Sequence, residues 1–205
     1  MSSYLSLHKK RSQLALTLRP ISLVDLDLEV NFLSSLSSAS IYQRMLGTVR
    51  FKSIDSVRKL LEYQPGPEMA LGAILNDGET DLDGRSIAEL IGVARYAVTD
   101  VPGSGEMAIV LADRFQGQGV AKKLLLRLHE IAVESGYREL VALTFSSNTA
   151  MLRLGQQLGY STMAEPGDGA LCRMTKSLVE SGEFNSPAHS GPRDQKLSRI
   201  AGSPN

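Results

Sequence analysis

The segment from Glu106 to Leu124 constrains this chain more than any other. Met107 to Ala112 holds no charge and no breaker, so it reads as a buried strand. Asp113 and Arg114 end it, and Gln116-Gly117-Gln118-Gly119 makes a glycine-rich turn. The period then changes. Val120, Leu124, Leu128 and Ile131 recur at helical spacing, with Lys122, Lys123 and Arg127 on the other side. A strand that feeds a glycine turn into a helix makes an anion site. The first backbone N–H groups of the helix lack partners inside it, and the helix dipole adds partial positive charge there. Glycines at 117 and 119 let an anion approach the backbone with no Cβ in the way. The expected ligand is a phosphate or pyrophosphate.

Spacing decides which phosphate loop this is. Counted from Gly117, a P-loop needs its second glycine at position 122, and that residue is Lys122. A dinucleotide fingerprint needs a closing glycine or alanine at the same place, and fails for the same reason. The pattern that fits is Q/R-x-x-G-x-G/A, as Gln116-Gly117-Gln118-Gly119-Val120-Ala121. That run resembles the acyl-CoA pyrophosphate loop of the GCN5-related N-acetyltransferase (GNAT) superfamily.

Charge and composition exclude other classes. The 205 residues carry 22 basic and 22 acidic side chains, a formal charge of zero, which argues against general binding to nucleic acid or anionic membrane. Cys172 is the only cysteine and the histidines (His8, His129, His189) are scattered, so neither a disulfide nor metal-ligand spacing is present, and no metal is expected. No apolar run approaches the roughly 20 residues of a membrane span, and no signal peptide is evident. A cytoplasmic protein with no membrane partner is the expectation; the oligomeric state is left open.

Read in order, residues 1–13 look like a flexible leader, 14–179 like one folded domain and 180–205 like a disordered tail rich in Gly, Ser, Pro and Asn. Leu14 to Arg19 alternates like a strand. Ser22 to Asp25 looks like a capping box opening a helix whose inner face is Leu23, Leu26, Val30 and Leu33. Short helices are expected at Ile41–Met45 and after Ser53. Strands follow at Met69–Leu75 and Ile87–Val98, the second with a bulge near Gly92. After the central strand and helix come a strand at Leu140–Phe145, a helix capped by Asn148, and closing strands at Tyr160–Met163 and Ala170–Thr175.

That order resembles the GNAT fold, an α/β (α+β) arrangement with a mixed, mostly antiparallel twisted sheet of about six to seven strands flanked by helices. A closer likeness is to the catalytic domain of bacterial protein lysine acetyltransferases. It is carried by Leu18-Arg-Pro-Ile21 with Ser40 to Arg44, by Ile91 to Tyr96, by Glu106 to Val110, and by Asn148 to Tyr160. The resemblance implies acetyl-CoA as cosubstrate and an acetyl transfer to an amine. The acceptor is a protein lysine, possibly on an acyl-CoA synthetase, or a small amine or amino acid; a non-catalytic acyl-CoA sensor is the further alternative. It implies that the backbone of Ile109, Val110 and Leu111 pairs with the pantetheine. Gln116, Gly117, Gln118, Gly119, Val120, Ala121 and Lys122 would hold the pyrophosphate, with Asn148 and Met151 also touching CoA. An acceptor lysine with a pKa near 10.4 must lose a proton before it attacks, so a base is needed. Glu106, at the head of the apolar strand, is the candidate, while Arg44, Arg95 and Tyr96 are placed to reach the acceptor side. Many members of the superfamily carry an acidic tyrosine seven residues after the asparagine; here that residue is Gly155.

Overall fold

The computed structural model describes residues 15–46 and 53–179. The leader and tail boundaries expected at 13 and 180 fall on residues 1–14 and 180–205, outside the described residues. Seven strands form one sheet: β1 (Leu16–Pro20), β2 (Met69–Leu75), β3 (Glu89–Val98), β4 (Ser104–Leu111), β5 (Glu139–Phe145), β6 (Ser161–Glu165) and β7 (Asp168–Ser177). Their order is β1-β2-β3-β4-β5-β7-β6. Every neighbouring pair is antiparallel except β4 and β5, which run parallel. Five helices flank it: α1 (Leu26–Ser35), α2 (Ser38–Met45), α3 (Ile54–Leu61), α4 (Val120–Glu134) and α5 (Thr149–Gln157).

The core divides into two layers because each central strand is apolar on both faces. On β2, Leu71, Ala73 and Leu75 pack with Leu124, Leu125 and Leu128 of α4, while Ala70 and Ile74 pack with Phe32 of α1 and Leu61 of α3. Those three α4 leucines are fully buried; truncating any one to alanine is expected to cost about 2–5 kcal/mol. The register of β2 on β3 jumps from Ala73↔Gly92 to Ile74↔Leu90, leaving Ile91 as the extra residue of a bulge. Ile91 and position 92 therefore face the same layer. A Cβ at 92 would lie 2.1 Å from Leu111 Cδ2, so only glycine fits.

Two readings of the helical segment change. The most buried residues of α1 are Glu29 and Phe32, continued by Asp25 before it and Leu36 after it; of the expected face, Leu26 and Leu33 pack half-buried on the same cluster, whereas Leu23 is exposed. Two carboxylates lie on the buried stripe because each has a guanidinium partner, Arg19 for Asp25 and Arg95 for Glu29. The polar serine run does not interrupt the chain's helicity for long. Ser37 caps α2, its hydroxyl accepting from Ser40 N–H and donating to Asp113 Oδ1 at 2.7 Å. Asp25 does accept from Ser22 N–H, but the residues it follows form a 3-10 turn ahead of α1.

Candidate functional site

The site begins where β4 leaves β5. The two strands pair only at Ser104↔Glu139, Gly105↔Leu140 and Glu106↔Val141. Past Glu106, β4 continues on β3 alone. Ala112 N–H donates to Ile91 C=O at 2.9 Å, so alternation turns the N–H and C=O of Val110 toward β3 and those of Leu111 and Ile109 away from it, into the opening. A strand edge with outward main-chain groups accepts an extended amide chain as a further strand would.

The opening is a cavity of about 430 Å³. Its walls are Met107 to Leu111 on β4 and Ala142 to Thr144 on β5, with Ser40, Gln43 and Arg44 of α2 on a third side. Tyr42 of α2 stacks flat on Phe145 at the end of β5, centroids 4.9 Å apart. At the far end stand Gln116, Gly117, Gly119, Ala121 and Lys122, and along α5 Asn148, Met151 and Arg153.

Each candidate residue has a definite place. Gly117 and Gly119 have φ of 72° and 80°, the left-handed region, and a Cβ on either would meet nothing within 4 Å. The turn thus needs glycine for its conformation and leaves open space in front of the first N–H groups of α4. That cradle fits a pyrophosphate. Gln118 lies off the cavity wall, its amide donating to Arg114 C=O at 2.7 Å, and the Val120 side chain is buried in the core. The Gln116 side chain turns inward and donates to Ser40 Oγ at 3.2 Å and Leu111 C=O at 3.3 Å. It ties α2 to the end of β4, instead of reaching out toward an anion. Asn148 caps α5 by accepting from Met151 N–H at 3.1 Å, and its residue also lines the cavity.

Glu106 is the last β4 residue paired with β5, so it sits at the vertex of the opening. It is exposed, on the opposite face of β4 from buried Met107. It borders a second cavity of about 390 Å³, walled by residues of α3, β3 and the chain before β2. Arg44 and Ala108 line both cavities and join them. Arg95 does not reach freely into this space. One guanidinium nitrogen donates to Glu29 Oε1 at 2.8 Å and another to Leu60 C=O. Tyr96 is buried, its hydroxyl donating to Ser135 Oγ at 2.9 Å. Burial pushes the Glu29 carboxyl above its ordinary range, against the pull of Arg95. Burial likewise pushes Arg44 down to about 10, with Arg95 adding repulsion.

Gly155, where many such chains carry tyrosine, is buried on α5, and a Cβ there would lie 1.8 Å from Met174 Cε. No side chain at 155 supplies an acid. Among the described residues no group of three His, Cys, Asp or Glu is arranged to hold a metal, and no helix is long and apolar enough to cross a membrane.

The chain as a whole is similar to known proteins. The model of the Acetyltransferase (GNAT) family matches residues 47–160. The chain belongs to the GNAT acetyltransferase family. Family membership makes it an N-acetyltransferase that uses acetyl-CoA. Acetyltransferase PA5475 of Pseudomonas aeruginosa is 29% identical over 152 residues, 74% of this chain and 77% of that one. The GNAT domain of S. lividans PAT shares the fold with a TM-score of 0.65 and 24% identity, over 78% of this chain and 89% of that one. Salmonella typhimurium yncA, solved with its cofactor acetyl-CoA, does so with a TM-score of 0.60 and 23% identity, over 82% and 97%.

The sequence placed Arg44, Arg95 and Tyr96 on the acceptor side, and all three line the second cavity. Sequence reasoning missed Glu29, the partner of Arg95 66 positions away, which carries no outward mark of burial. The β5 wall, Ala142 to Thr144, was legible only as core.

Proposed function

We propose that this GNAT protein transfers acetyl from acetyl-CoA to a lysine-type amine by direct attack, with Glu106 as the general base. One observation carries the reading: Glu106 stands at the vertex where β4 parts from β5, between the cosubstrate groove and the second cavity. In this reading the outward main chain of Ile109 and Leu111 pairs with the pantetheine, while Val110, whose N–H and C=O turn toward β3, adds no main-chain bond. The glycine turn and the start of α4 take the pyrophosphate, with Lys122 adding charge. Asn148 and Met151 form the α5 side of the groove, and Gln118 and Val120 serve the turn through their backbone.

Only about one lysine in a thousand is neutral at pH 7. An acceptor ammonium that enters from the second cavity gives a proton to Glu106, directly or through one water. The free amine then attacks the carbonyl carbon and a C–N bond forms; the C–S bond breaks, the nitrogen gives up a second proton, and the departing CoA thiolate takes up one proton, through solvent. General base assistance of this kind is typically worth about 10²–10⁴-fold. The resemblance of Leu18–Ile21, Ile91–Tyr96, Glu106–Val110 and Asn148–Tyr160 to bacterial protein lysine acetyltransferases favours a protein lysine as acceptor. The walled second cavity, with charges of both signs, favours a small amine or amino acid as the second reading.

Thiol release from acetyl-CoA, measured against acyl-CoA synthetases and a panel of free amines, tests this. Release with acceptor present and mass gain of 42 Da per site (roughly, for one acetyl) on protein lysines is expected. Binding of acetyl-CoA without release to any acceptor would favour the acyl-CoA sensor instead.

A further inference from the structure

Two arginines, Arg44 and Arg95, line the second cavity, and Arg95 is paired with the buried carboxylate of Glu29. Arg95 and Glu29 compensate each other through a 2.8 Å ion pair. Arg44 has no hydrogen-bond or ion-pair partner among the described residues, although it is partly buried and faces both cavities. Glu29 Oε2 is a buried acceptor without a partner, and it lies within the field of Arg44 without being hydrogen-bonded to it. A guanidinium that has lost water without gaining an acceptor is costly, and a planar carboxylate is the group its N–H fork matches. Burial has already lowered the Arg44 pKa to about 10, which still leaves it charged at neutral pH.

The charge layout narrows the ligand. Glu106 borders the same cavity as Arg44 and is close enough to act on it electrostatically. Lys59, Glu62 and Glu68 stand around the rim, and Glu68 Oε2 already accepts from Gln64 N–H. A doubly charged anion at Arg44 would face Glu106 and Glu68. A molecule bearing both an ammonium and a carboxylate would satisfy Glu106 and Arg44 together.

We propose that Arg44 binds a carboxylate on the acceptor, so that preferred acceptors offer an amine to Glu106 and a carboxylate to Arg44. This rests on the proposed acetyl transfer. The carboxylate has two sources, the acceptor's own in a free amino acid, or an acidic side chain beside the target lysine of a protein. In both, Arg44 is a specificity residue that orients the amine and leaves the chemistry to Glu106.

The test uses acceptor pairs that differ only in the carboxylate: lysine against cadaverine, phenylalanine against phenethylamine, and lysine peptides flanked by Glu against the same peptides flanked by Gln. The readout is kcat/KM by thiol release, with acetyl-CoA affinity by calorimetry, for the wild type, Arg44→Met and Arg44→Lys. The wild type should favour the carboxylate member by about 10- to 100-fold, the usual worth of a charge-assisted pair. That ratio should fall toward one in Arg44→Met and recover in part in Arg44→Lys; because Arg44 also borders the groove, acetyl-CoA affinity should change by less than the ratio does. Preference within the amino-acid pairs identifies the acceptor's own carboxylate, and preference confined to the peptides identifies a protein side chain. Equal treatment of both members by the wild type, a ratio that persists in Arg44→Met, or a matching loss of acetyl-CoA affinity would each overturn the assignment. Absence of thiol release with every acceptor would contradict the proposed function. The same pairs, scored by binding to the CoA-loaded protein, would then still decide Arg44.

Discussion

The groove along β4 and the cavity beside Glu106 share Arg44 and Ala108, yet they are made of different things. The groove is mainly main chain. Its parts are a strand edge freed by the divergence of β4 from β5, a turn held by two left-handed glycines, and the first turn of a helix. The cavity depends on side chains, and part of its wall is Arg95 of β3, held by an ion pair with Glu29 of α1. A main-chain site recognises what all acyl-CoA molecules have in common and tolerates changes in side chains. A side-chain site sets which acceptor enters, and single substitutions alter it.

The comparison breaks most visibly at the glycine turn. Gly119→Glu places a like charge where the pyrophosphate is expected, and two such charges about 4 Å apart at a protein surface are worth about 4 kcal/mol of repulsion. Acetyl-CoA affinity by calorimetry should fall by roughly two orders of magnitude or more. The second cavity should remain intact, with an unchanged fold by circular dichroism. Unaltered affinity in the folded variant would remove the turn from the site.

Acid separates the layer behind the groove from the floor of the cavity. On the α4 side, His129 is buried with Nε2 2.8 Å from the Tyr160 hydroxyl, and burial, aided by Lys176, lowers its pKa to about 4. The unfolded chain therefore takes up that proton first, near pH 6.5, and stability is lost as pH drops from there toward 4. The loss is up to about 3 kcal/mol and should vanish from this window in His129→Phe, as read by urea unfolding. On the α1 side, Glu29 has a raised pKa, so its protonated form is favoured in the fold. Its contribution has the opposite sign: stability is lost as pH rises through the folded value. A wild-type profile that is flat from pH 6.5 to 4 and identical in His129→Phe would show that His129 is not held neutral.

A smaller effect sharpens the same division. Glu29→Gln keeps the shape of the side chain but leaves two arginines without their compensating charge. A loss of about 2 kcal/mol in unfolding free energy is expected. The acceptor KM should rise while acetyl-CoA affinity stays within about threefold, since of these three residues only Arg44 also borders the groove. A drop in acetyl-CoA affinity equal to the change in KM would mean that groove and cavity are not separable.

The two regions were not equally legible in the sequence. The groove lies in one continuous stretch, where a strand, a turn and a helix announce themselves by period and by glycine. Met69 to Leu75 was visible as β2 with its observed ends, and Asn148 as the cap of α5. The cavity depends on polar residues turned inward. Hydrophobic period assigns α1 a face of Leu23, Leu26, Val30 and Leu33; Leu26 and Leu33 do pack on the core, but the residues the fold buries most are Glu29 and Phe32. A carboxylate looks like surface until its guanidinium, 66 positions away, is known. The same holds for α2. Its first turn depends on Asp113, 76 positions from Ser37, so a run of serines reads as a break. The bulge near Gly92 was expected, but its reason, the approach of Leu111, exists only once β4 is in place.

The central claim joins the two regions at Glu106, and the pH dependence of Glu106→Gln tests it most directly. The substitution keeps the size of the side chain and removes the base. Acetyl-CoA affinity should hold, because Glu106 is not part of the groove wall, which on β4 starts at Met107. Turnover at pH 7 should fall by about two orders of magnitude or more, and the residual rate should climb with pH as more acceptor amine deprotonates in solution. A folded Glu106→Gln that binds acetyl-CoA normally and turns over at the wild-type rate from about pH 6 to 9 would contradict the account.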